Sequence, residues 1–263
     1  MKTNENNKIV WREIILECQQ ILNAHVEAFQ AFINHYEENR KNKVLLLLAR
    51  RIIANIRAIA ELASFCYIKE GTLFFKLPIG LLLRNCLTDS ITGLYLLLQD
   101  NEAANKALDL LNHDYANAKL FQFEVYRDNI NFANFDDELA EHVFTLALED
   151  NFLNHYNLNS ETKEIKPLNE HKIWKGSNPK NYIPDGPNIN PQIKAMWETL
   201  SADLRFGECA NNLYAYYRYF SQWEHFSEYG AGDAMASFGE DNINMPMTFG
   251  YIKAALDFIL NHN

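Results

Sequence analysis

Apolar residues recur along this chain at spacings of three and four. No run of alternating apolar and polar positions is long enough to mark a strand of any weight. Ile14, Cys18, Ile21, His25, Phe29, Phe32 and Tyr36 form one stripe, which predicts an amphipathic helix over about 8–39. His25 belongs to that stripe and is expected to have its ring satisfied inside. A second helix is predicted over about 42–69, closed by Gly71. A third is predicted over about 78–99, with Pro78 in its first turn. The third is apolar nearly all round (Ile79, Leu81, Leu82, Leu83, Cys86, Leu87, Ile91, Leu94, Leu96, Leu97), the pattern of a helix central to the core. Its Arg84, Asn85 and Asp89 are therefore expected to be at least partly buried and partnered. They form either an internal polar network or the lining of a site.

Further helices are predicted over about 102–129, capped by Asn101, and over about 136–156. After these come about 191–204, 207–229 and 246–261. The fold class expected is all-α, a single-domain helical bundle of about eight helices. Between about 157 and 190 the periodicity gives way to Asn, Pro, Gly and Lys, and Trp174, Tyr182 and Ile183 in that stretch need something to pack on. So long an irregular excursion suits a lid, an interface arm or an insertion.

Composition adds two constraints. Hydrophobic residues make up 48% and charged residues 22%, as in a folded globular protein. The formal net charge of −10 argues against a general nucleic-acid binder and against sequence-specific DNA binding. One segment runs against that total. From Asn39 to Arg57 there are six cations (Arg40, Lys41, Lys43, Arg50, Arg51, Arg57) and no Asp or Glu. Arg50 and Arg57, seven apart, share a helical face. They can receive an anion or pair with carboxylates of neighbouring helices.

Cys18, Cys66, Cys86 and Cys209 are far apart and lie among apolar neighbours, as free buried thiols do. This fits a reducing, cytoplasmic setting and gives neither a disulfide framework nor a zinc site. The start, MKTNENNK, carries no secretory signal. The apolar stretches at 44–53 and 73–98 are broken or bounded by Arg50, Arg51, Lys76, Arg84 and Asp89. They read as buried helices, not membrane spans.

Hydrolase, phosphate-loop and dinucleotide motifs are absent. Glu138 and His142 stand four apart, but the repeated Glu-x-x-His of a bundle di-metal site is missing, so neither metal nor cofactor is expected. Chemistry concentrates in Tyr214–Gly230, YAYYRYFSQWEHFSEYG. Arg218 and His225 are seven apart on one helix face, roughly 10 Å along the axis. Ser221 lies between them. A His with an unperturbed pKa of about 6.5 can move a proton, and an Arg fork can hold a phosphate. On the structural alternative, Arg218 stacks on Tyr214 or Trp223, and Ser221 and His225 tie the helix to Arg84, Asn85 or Asp89.

The spacing Arg218-x(6)-His225 in RYFSQWEH resembles the Arg-x(4–6)-His motif of the HEPN superfamily, named for higher-eukaryote and prokaryote nucleotide-binding domains. RNCLTDSITGLYLL on an earlier helix, with YRYFSQWEHFS late, is also similar to a group of uncharacterised bacterial helical proteins; the two motifs cover about 25 of 263 residues. HEPN nucleases usually carry a polar residue directly after the Arg. Here Tyr219 stands there, and the Arg-polar pair occurs instead as Arg84-Asn85. The resemblance implies an all-helical, metal-independent endoribonuclease or RNA-binding protein of bacterial defence or toxin type. In it His225 would be the general acid or base, Arg218 the phosphate clamp and Ser221 an orienting hydroxyl. It also implies a homo-oligomer with a shared cleft, which Arg50, Arg51 and Arg57 would line. The alternative is a non-catalytic helical interaction module whose long loop docks a partner.

Overall fold

Polar residues at the chain start do not stop a helix when no Gly or Pro intervenes, and the first helix uses them. In the computed structural model, α1 spans Lys2–His35, six residues earlier than the apolar stripe alone indicates. The structure describes residues 2–35, 37–69, 73, 75–108, 156–158, 165–167, 193–224, 232 and 244–262. Ile14, Cys18, Ile21, His25 and Phe32 of the stripe are buried, together with Trp11. The His25 ring is satisfied at both nitrogens: Nδ1 lies 2.8 Å from the Ile21 carbonyl and Nε2 lies 3.0 Å from Asp257 Oδ1.

Helix α2 spans Arg40–Ile68, and its N-cap is Asn39, whose Oδ1 accepts the Asn42 amide at 2.8 Å. Helix α3 spans Lys76–Leu98. A short helix α4 covers 101–108. Its cap is Asp100 and not Asn101, since Asp100 Oδ1 accepts the Ala103 amide at 2.8 Å. Helices α5 (Ile193–Ser201), α6 (Gly207–Glu224) and α7 (Asn244–Leu260) follow. The class is all-α.

Helix α3 is the centre of the packing, as its all-round apolar pattern requires. It lies against α2, α5, α6 and α7, while α1 packs on α2 and α7. Two glycines let neighbours come close. A Cβ on Gly93 would stand 2.4 Å from the tip of Ile259 on α7, and one on Gly80 would stand 2.3 Å from the Trp223 ring on α6. Helix α3 is long and apolar enough to cross a membrane, the single such helix among the described residues, and most of its apolar window is buried by its neighbours.

The chain divides into two compact units, residues 1–105 with 192–263, and residues 106–191. The second unit therefore begins well before the irregular stretch at 157–190. Its described part includes a two-stranded antiparallel ladder, β1 (Tyr156–Leu158) with β2 (Ile165–Pro167), in which Asn157 faces Lys166. Tyr156 is thus a strand residue and not the end of a helix. The rest of the expected helices over 102–129 and 136–156 lies outside the described residues.

Candidate functional site

Lys76, Gly80 and Arg84 stand four residues apart on α3, so they form one row along the helix. That row meets α6. At its centre Gly80 lets the Trp223 ring lie on the α3 backbone, with Phe220 beside it at 5.2 Å in an edge-to-face pair. At one end Lys76, fully buried, places Nζ 5.4 Å over the Trp223 ring.

At the other end Arg84, half-buried, donates from Nε to Ser221 Oγ at 3.1 Å. Ser221 in turn donates to the Tyr217 carbonyl at 2.7 Å. The Arg84 guanidinium also lies 5.3 Å from the Tyr217 ring centroid. Arg218 is next on this edge, three residues before Ser221. It is exposed and has neither an ion-pair nor a ring partner among the described residues. The stacking expected of Arg218 on Tyr214 or Trp223 is thus replaced by Arg84 over Tyr217 and Lys76 over Trp223. Asn85 is exposed. His225 lies outside the described residues, as do Glu138 and His142.

Asp89 faces another way. It is five residues beyond Arg84, about 140° around the helix, and turns toward α2. Only 2% of it is exposed. Arg51 Nε lies 3.2 Å from Asp89 Oδ2, a charge contact without a directed hydrogen bond, and Oδ2 has no hydrogen-bond partner among the described residues. Burial pushes the Asp89 carboxyl up to about 6 against the pull of the Arg51 guanidinium. Cys86, one turn earlier, has its thiol raised well above the ordinary value, by burial first and by Asp89 second. Cys18 is pushed up to about 12 by burial in the same way, so these thiols are poor nucleophiles.

The cations of α2 divide as well. Arg51 pairs with a carboxylate of the next helix, whereas Arg50 and Arg57 do not among the described residues. Arg50 lies 5.8 Å over the Phe29 ring of α1, and exposed Arg57 has no ion-pair partner among the described residues. The residues singled out in the sequence therefore fall into two groups on different flanks of α3. Arg84 and Ser221 meet on the α6 side, where Arg218 stands exposed three residues before Ser221. Asp89, Arg51, Arg50 and Arg57 belong to the α2 side. Among the described residues no group of three or more His, Cys, Asp or Glu could hold a metal ion.

Two features of the seam escape sequence reasoning. The burial of Lys76 is one, although the spacing Lys76-x(3)-Gly80-x(3)-Arg84 is a signal of a row built for a close neighbour. The other is a ring stack joining α5 to α6, in which Trp197 lies 4.3 Å from Tyr214 with planes 9° apart. No known family model matches this chain, and neither a curated protein nor a solved structure matches it.

Proposed function

We propose that this chain is a HEPN-like, RNA-directed protein with its phosphate-binding edge at Arg218 and Arg84 on the α3–α6 seam. The observation that carries this reading is the exposed Arg218, which has no ion-pair partner among the described residues and stands one turn from the serine that holds a second guanidinium. An exposed guanidinium can fork onto phosphate oxygens, which supports an anion at Arg218. The role of His225 is to take the proton of the attacking 2′-hydroxyl or to give one to the departing 5′-oxygen, and that of Arg218 is to hold the phosphate as charge develops. Arg51 is turned to Asp89 and Arg50 to Phe29 of α1, so on the shared-cleft reading the α2 cations come from a second copy.

A non-catalytic interaction module is the competing reading. The engagement of Ser221 by both Arg84 and the Tyr217 carbonyl favours it, because a hydroxyl so used is a helix-joining group.

Cleavage of end-labelled single-stranded RNA in excess chelator separates the two. The nuclease reading expects cleavage by the parent protein, and a loss of about 100-fold or more in His225→Ala and Arg218→Ala with unchanged melting temperatures. Binding without cleavage leaves an RNA-binding protein. Neither binding nor cleavage leaves the interaction module.

A further inference from the structure

The α5–α6 side carries a row of rings that the bundle core does not use. Core packing there comes from Met196, Leu200, Leu213 and Phe220, all buried. Trp197, Tyr214 and Tyr217 are only half-buried. Their centroids follow one another at 4.3 Å and 6.0 Å, with planes 9° and 22° apart, and Arg84 closes the row 5.3 Å from Tyr217. The core pair Phe220 and Trp223 meets edge to face at 86°, whereas this half-buried row is stacked face to face. The indole plane is also fixed, because Trp197 Nε1 donates to Asn211 Oδ1 at 2.8 Å. Its face away from Tyr214 meets no ring and no cation among the described residues.

We infer that the Trp197–Tyr214–Tyr217 row is a stacking platform for the bases of single-stranded RNA, with the outer face of Trp197 as the landing face. The inference rests on the phosphate reading of the α3–α6 edge and adds the part of the ligand that edge does not contact. A held indole presents a flat surface at little entropic cost, and any base can stack on it irrespective of sequence. The row ends at Arg84, beside Ser221 and Arg218, so a strand laid along it finds π-faces at one end and guanidinium groups at the other. A single-stranded nucleic acid offers both in one repeating unit, whereas a paired duplex hides its base faces.

The test uses the full chain and oligonucleotides of about 12 residues, read by fluorescence anisotropy. Oligo(U) is compared with a base-free ribose-phosphate strand of equal length. The parent protein is expected to bind oligo(U) at least about 10-fold tighter than the base-free strand. Trp197→Leu abolishes that preference, Trp197→Phe keeps most of it, and Arg218→Ala weakens both ligands together. Equal affinity of the parent for the two strands overturns the platform while the phosphate reading stands, and this measurement needs no variant to fold. A preference for oligo(U) that survives in a folded Trp197→Leu also overturns it. Binding of neither strand by the parent overturns the platform and the phosphate reading alike.

Discussion

The two flanks of α3 solve the problem of charge in a core helix in opposite ways. On the α6 flank, Arg84 reaches the edge of the bundle, bonds a neutral hydroxyl and lies on a phenol ring. Arg218 beside it is left in water. On the α2 flank the acid is inside and the base outside: Asp89 is enclosed, and its partner Arg51 is 64% exposed on its side chain. A guanidinium tolerates partial burial because it is weakly hydrated and stacks well. A carboxylate does not, and Asp89 shows the strain in its raised pKa. On the first flank the charge stands at the edge of the helix pair. The second is closed upon itself.

Asp89→Asn sharpens this contrast most. The Asp89 carboxyl is held at about 6 in the fold, against an ordinary value of 3.8. As pH rises between these values an unfolded chain gives up the proton first, so the native state loses relative stability across that window. Above the upper value the whole penalty is present, about 3 kcal/mol. Thermal melts should therefore find Asp89→Asn more stable than the parent at pH above 6, with the difference closing as pH falls toward the ordinary carboxylate range. A variant less stable at every pH would show that the Arg51 contact outweighs the burial.

Gly80→Ala addresses the opposite flank. The added methyl would sit 2.3 Å from two carbons of the Trp223 ring, so α6 must move as a body. Alanine would otherwise favour a helix interior by about 1 kcal/mol. Overpacking should prevail, with a net loss of about 2 kcal/mol in denaturant melts. A gain in stability would mean that the seam is loose and that Trp223 swings aside.

The smallest change is Ser221→Ala, which leaves Arg84 Nε without its oxygen. The expected cost is about 1 kcal/mol. On the RNA reading, affinity should fall as well, since Arg84 is no longer held against α6. A stability loss with affinity unchanged would confine the Arg84–Ser221 bond to joining helices.

Much of this was legible in the chain because burial follows periodicity. The spacing of Ile14, Cys18, Ile21, His25 and Phe32 gave the buried side of α1, and the apolar residues all round 79–97 marked α3 as central. Capping was less legible. Around Asn39 and Asp100 the neighbours are all polar, so nothing in the sequence fixes which side chain folds back on the amides. The candidate site was half legible. Arg84, Asn85 and Asp89 were each open as partners of Ser221, and only the row through Gly80 selects Arg84. Cations fared worst. A count of six between Asn39 and Arg57 says nothing of which one meets a carboxylate, and the answer, Arg51, depends on a residue of another helix. The Trp197–Tyr214 stack joins separate helices, and periodicity carries no information on that.

The division of the bundle between residues 1–105 and 192–263 has a consequence for biosynthesis. Helices α1 to α3 leave the ribosome first, with the faces of α3 that receive α5, α6 and α7 still bare. An entire second unit is then translated before those helices arrive, which at about 5–20 residues per second takes several seconds. During that time α3, apolar nearly all round, has α2 as its main cover. The His25–Asp257 contact, which joins α1 to α7, forms only once α7 has been made.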